Sequence, residues 1–157
     1  MLALLVAGGL SMPSLAQACS CLKRDAASLF KTSDRLVIAR VTRVQYQRAW
    51  IGEARIWGDL QVLETLKASA GPPLTKVWTE PEISMCSLPL IVGQVYLLEP
   101  YGEDGIKVDH CSSRAIGTGD AQGEQLLRQL RQIRDERRRQ AEASAGRQAP
   151  AASAGRR

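Results

Sequence analysis

Four cysteines and one histidine hold most of the chemistry available to this 157-residue chain, and their spacing narrows it. Cys19-Ser20-Cys21 follows directly on Ala16-Gln17-Ala18, a small-x-small site of the kind cut by export peptidases. Cys86 and Cys111 are isolated, the latter beside His110, the only histidine. Thiols can attack as thiolates, ligate zinc, or pair. Attack needs a base, and one histidine next to a cysteine completes neither a Ser-His-Asp nor a Cys-His set. Structural zinc favours C-x2-C knuckles over C-x-C with two single cysteines, and neighbours on a strand such as His110 and Cys111 point to opposite faces. Pairing remains: an even number of cysteines in an exported chain predicts two disulfides, with three connectivities open. A Cys19–Cys21 bond would close a very short ring of poor geometry, which favours long-range pairing to Cys86 and Cys111. Loops of that length, roughly 65 to 95 residues, give about 4 kcal/mol each in the chain-entropy model.

The carboxylates form no acid–base pair. Glu80 and Glu82 flank Pro81, and Glu103-Asp104 sits in a turn, so both pairs read as exposed loop charge. A glycine-rich phosphate loop and a dinucleotide fingerprint are both missing from the sequence. These features describe a protein that is not an enzyme, with no cofactor and no intrinsic metal.

The net charge of +5 is concentrated at one end. From residue 120 onward nine arginines face five acids, whereas residues 19–119 hold twelve basic residues against eleven acids. A nucleic-acid-binding domain would carry its positive charge on the folded core, which shows little sign of that, so nucleic acid is not expected as a partner. The arginine-rich tail reads as solvated rather than as a membrane or nucleic-acid contact. Residues 1–18 are uncharged and combine an apolar run with Gly8, Gly9 and Pro13, which reads as a secretory signal too short to span a membrane. The organisation expected is a signal over 1–18, a domain over 19–119, a helix over 120–143 and a disordered tail over 144–157. The domain is expected to be monomeric, and secreted to the extracellular space or the periplasm.

Within the domain, residues 25–32 read as a short helix capped by Asp25, with Leu29 and Phe30 turned inward. A long β-branched strand follows from Asp34 to Gln47, its alternation broken near Ala39 to Val41 by a bulge or bend. The return strand runs through Trp57 to Lys67, and Gly71-Pro72-Pro73 breaks the chain. A third strand is expected at 74–79, a fourth after Gly93, and a fifth over 106–111 beyond the turn at 102–105. Five strands, the first two long, suggest a mainly β fold, a five-stranded OB-type Greek-key barrel. Leu126, Leu127, Leu130 and Ile133 then lay one helical stripe on it.

In this order, the residues resemble the tissue inhibitors of metalloproteinases and the wider netrin-like module. The likeness spans residues 19–116: Cys19-Ser20-Cys21; Leu29-Phe30-x-x-Ser33-Asp34-x-Leu36-Val37-Ile38; Val62, Leu66 and Lys67; Met85-Cys86-x-Leu88-x-x-x-Val92-Gly93-x-x-Tyr96-Leu97-Leu98; and Cys111. Lys31 stands where vertebrate members carry a further cysteine, Leu22-Lys23 replaces a common proline, and an arginine-rich helix replaces the cysteine-rich second half. That describes a minimal, bacterial-type form with two bridges.

The resemblance implies an OB-type barrel and the pairs Cys19–Cys86 and Cys21–Cys111. It implies that Cys19, by its α-amine and carbonyl oxygen, chelates the catalytic zinc of a target metalloprotease. Ser20 would then enter the protease's specificity pocket, with Cys21, Leu22, Ser84 and Met85 completing the contact ridge. A catalytic zinc keeps one position open for water. A neutral amine beside a carbonyl makes a five-membered chelate that can displace it, and a free α-amine titrating near pH 8 is partly neutral at physiological pH. Two other readings share these residues: an exported netrin-like binding module with structural bridges only, and a chain anchored to the membrane by a lipid on Cys19.

Overall fold

The computed structural model describes residues 19, 21–48, 54–81, 86–117 and 119–148. Secondary structure begins with α1 (Ala26–Thr32), where Asp25 is the N-cap and its carboxylate accepts from the Ser28 amide at 2.7 Å. Lys67 closes the other end, its ammonium donating to the carbonyls of Phe30 and Ser33.

Four strands follow, β1 (Leu36–Gln47), β2 (Arg55–Lys67), β3 (Lys76–Thr79) and β4 (Val95–Leu98), and then a short β5 (Arg114–Ile116). All pairs are antiparallel, in the order β3-β2-β1-β4-β5. The register of β1 against β2 slips at Leu36/Val37, Ile38/Ala39 and Val41/Arg43, so the strand bends where its alternation fails. Gly58 sits at a close crossing: a Cβ there would meet Leu90 Cδ1 at 3.0 Å.

Two apolar clusters lie on opposite faces of β1 and β4. Val37, Ala39, Val41, Tyr96 and Leu98 pack with Leu74, Val77, Leu88, Leu90 and Val108 on one side. Leu36, Ile38 and Leu97 pack on the other against Ala26, Leu29 and Phe30 of α1 and against Leu127 and Leu130 of α2 (Ala121–Gln148). Burial on both faces explains why these strands read as near-continuous apolar runs. The α2 stripe docks as its spacing requires, with Leu130 fully buried.

Three expectations are corrected. Among the described residues the sheet is open: no ladder joins β3 to β5, so the expected closed barrel is not formed by strand pairing. The fifth strand is not 106–111. That segment makes single bridges from Lys107 to Trp78 and to Tyr101, and then Asp109 ends it by accepting from the Cys111 and Ser112 amides at 2.9 and 2.7 Å. A side chain that satisfies the local backbone this way competes with a ladder. The last helix continues to Gln148, five residues beyond the end expected from its apolar stripe. The signal assigned to 1–18 and the tail over 149–157 lie outside the described residues.

Candidate functional site

Cys19 and residues 21–24 have no regular structure, so their position depends on side chains. Cys19 is bonded to Cys86 and Cys21 to Cys111, across sequence separations of 67 and 90 and with Cα–Cα distances of 5.6 and 5.1 Å. Both lie in the normal disulfide range. All four sulfurs are consumed, leaving no thiolate for zinc or for nucleophilic attack. The partner loops are themselves linked, because the His110 amide donates to the Cys86 carbonyl at 2.9 Å. The two bridges therefore reach loops that are joined to each other.

A third fastening lies three residues on. The Arg24 guanidinium forks onto Glu99, with Nη1 donating to Oε1 at 2.8 Å and Nη2 to Oε2. Glu99 directly follows β4 and is only 8% exposed. It also accepts from Ser33 Oγ at 2.6 Å, while its own amide donates to Ser113 Oγ at 3.1 Å. A buried carboxylate is tolerable only when matched this fully, and a bidentate arginine is the strongest partner available.

The base under Cys111 is a turn organised by Asp109. Besides the two amides, its carboxylate accepts from the Tyr101 hydroxyl at 2.6 Å. Burial works to raise the Asp109 pKa, but the Tyr101 hydroxyl and the Ser112 and Cys111 contacts outweigh it and hold the carboxyl below its usual range. Burial first, and this hydrogen bond second, push the Tyr101 hydroxyl well above its ordinary value. On the Cys86 side, the buried Tyr96 fixes the loop before β4: its hydroxyl donates to the Pro89 carbonyl at 2.6 Å and accepts from the Ile91 amide at 3.0 Å.

Of the residues assigned to the contact ridge, Cys19 and Cys21 are half-buried at their bridges, and Leu22 is 86% exposed. Ser20, Ser84 and Met85 lie outside the described residues. The sequence reading missed Arg24, Ser33, Glu99 and Asp109, which position the segment. One signal was available for Glu99, a lone acid directly after the buried apolar run of β4, since a charge in that place requires a partner. No group of three or more metal-ligating side chains is assembled among the described residues, nor is any described helix long and apolar enough to cross a membrane. The two disulfides fit an oxidising compartment. Comparison of the chain with protein-family models and with curated proteins finds no match.

Proposed function

We propose that this chain is an exported inhibitor of zinc metalloendopeptidases, built on the plan of the tissue inhibitors, in which Cys19 supplies the zinc ligands. The observation that carries this reading is the immobilisation of an otherwise irregular terminal segment by two disulfides and the Arg24–Glu99 fork. Such a segment would ordinarily be the loosest part of a domain. Rigidity there is costly to arrange and gains most if the segment must dock without further ordering. Cleavage after Ala18 would release the Cys19 α-amine next to its own carbonyl, a chelate suited to the open position of a catalytic zinc. The exposed Leu22 offers an apolar contact beside it. The chain itself performs no reaction in this reading, and it acts as a monomer.

The same reading takes the sheet as a partly open barrel of the OB type. Support comes from residues 106–108, which lie between β3 and the chain after β4: Trp78 donates to Ile106 at 3.0 Å, Val108 donates to Trp78 at 2.8 Å, and Tyr101 exchanges two bonds with Lys107 at 2.9 and 3.1 Å. Barrels of this type are incompletely closed.

The test is an intact-mass measurement on the exported protein, followed by inhibition assays against a panel of zinc endopeptidases. The reading expects a chain beginning at Cys19 with a free amine and saturable inhibition of at least one member. A lipid adduct on Cys19 would point to the membrane anchor, and a free amine with no inhibition to a netrin-like binding module.

A further inference from the structure

Behind the Cys21–Arg24 strap lies a cleft of about 810 Å³, within the roughly 300–1,000 Å³ of small-molecule sites. Its walls come from four parts of the fold: Leu29 of α1, Leu88 and Ile91 of the Tyr96-pinned loop, Leu97 of β4 and Leu126 of α2. The charge around it is one-sided. Among the described residues no aspartate or glutamate lines the cleft, whereas Lys23, Arg24, His110 and Arg114 all do. Two of these are matched from outside it, Arg24 by Glu99 and Arg114 by Asp120 at 2.8 Å. Lys23 and His110 enter no ion pair among the described residues. The strap's other side has the opposite character, a depression of about 340 Å³ lined by Glu99 and Asp109. Among the described residues the strap thus separates carboxylates from a largely apolar cleft whose charged lining residues are basic.

We infer that this cleft binds a free single-chain carboxylate, an anion of the fatty-acid type. The chain lies against Leu88, Ile91 and Leu126, and the carboxylate is met by the Lys23 ammonium and the His110 ring N–H. Apolar walls reward the chain in proportion to the area it loses to water. A cationic amphiphile of the same length would find like charge at the rim, and a neutral one would leave Lys23 without a partner. Cys19 does not line the cleft, so this binding and zinc chelation can each fail without the other.

The experiment is calorimetric titration of the exported full chain with dodecanoate, below its micelle-forming concentration. The result expected is saturable one-to-one binding, about tenfold or more tighter than that of dodecyltrimethylammonium. Lys23→Glu should weaken it about tenfold, and Ile91→Asp about fivefold or more. Both positions are exposed, so circular dichroism should be unchanged. Lys31→Glu, the same charge reversal on the exposed face of α1, should change it less than about twofold. Absence of saturation, equal affinity for the cation, or equal loss from the two lysine reversals would overturn the inference. So would binding to phosphatidylglycerol vesicles without binding to dodecanoate, which would make the ligand a membrane lipid.

Discussion

Cys19 and residues 21–24 belong to no helix or strand, yet two disulfides and a buried, bidentate ion pair fix them to the rest of the fold. Residues 138–148 are unbroken helix, and three side-chain hydrogen bonds run within it: Arg138 to Glu142 at 2.9 Å, Ser144 to the Gln140 carbonyl at 2.9 Å, and Arg147 to the Ala143 carbonyl at 3.3 Å. The first segment is irregular and anchored by tertiary contacts; the second is regular through local propensity alone. Alanine, glutamine, glutamate and arginine keep a helix going after its apolar stripe has ended, helped by i,i+4 pairs of about 0.3–0.5 kcal/mol. Regularity is therefore no guide to which of these two segments is fastened to the rest of the fold.

The largest expected effect comes from releasing the strap. Cys21→Ala combined with Cys111→Ala removes a cross-link with a sequence separation of 90. The loss should be about 4–5 kcal/mol by the chain-entropy relation. Denaturant unfolding of the double variant beside the wild type, both without reductant, measures it. A loss under about 1 kcal/mol would mean that the bridges ornament a fold already held by its core.

Next comes the third fastening. Glu99→Ala leaves Arg24 half-buried without its carboxylate and strands Ser33 Oγ, and should cost about 2–4 kcal/mol. Because the disulfides remain, unfolding should stay cooperative while amide exchange rises at residues 22–25. No change in exchange there would show that the bridges alone set the segment's position.

A smaller effect distinguishes the docked half of α2 from its free half. Arg131 and Arg134 both donate to Glu64 on β2, at 2.6 and 2.5 Å for the closest contacts. The Arg131 hydrogen bond first, with Arg134 adding to it against a burial cost, holds the Glu64 carboxyl below its ordinary 4.5. A depressed folded-state value means the stabilisation is present above the unfolded pKa and is lost as pH falls through the folded one. Wild-type stability should accordingly drop below about pH 4.5 more steeply than that of Glu64→Gln, with a difference near neutrality under about 1 kcal/mol, as the pair is largely solvent-screened. Identical pH profiles would remove the ion pair from the account of α2 docking. The smallest effect expected is from deleting residues 144–157. Residues 144–147 of that stretch are exposed helix, so the melting temperature should move by less than about 2 °C. A larger drop would give the free half of α2 a structural role.

The legible parts of the fold were those fixed by local pattern. Asp25 caps α1 because a short acid before an apolar turn satisfies the Ser28 amide, and that is a matter of neighbours. The long β1–β2 hairpin, its bulges and the α2 stripe are likewise periodicities of the chain itself. The fifth strand was not legible, because 106–111 alternates like a strand while Asp109 diverts it into a turn, and β5 is three residues whose pairing depends on β4. The end of α2 was missed because apolar periodicity reports docking rather than helix length. At the site, the cysteines announced themselves by type and spacing. Arg24 and Glu99 did not, being 75 residues apart and joined only by the fold. The cleft behind the strap is also a product of tertiary placement, with walls drawn from elements that no local motif connects.

The central claim is that the anchored terminus works through the Cys19 amine, and one added residue tests it most directly. A mature chain carrying a single alanine before Cys19 keeps both bridges and the Arg24–Glu99 fork. It converts the basic amine into an amide nitrogen that ligates zinc poorly, and it puts extra atoms where the metal must sit. Against a zinc endopeptidase that the native chain inhibits, the inhibition constant should rise by about three orders of magnitude or more, with circular dichroism and melting temperature unchanged. An extended chain that inhibits as tightly as the native one would contradict chelation by Cys19.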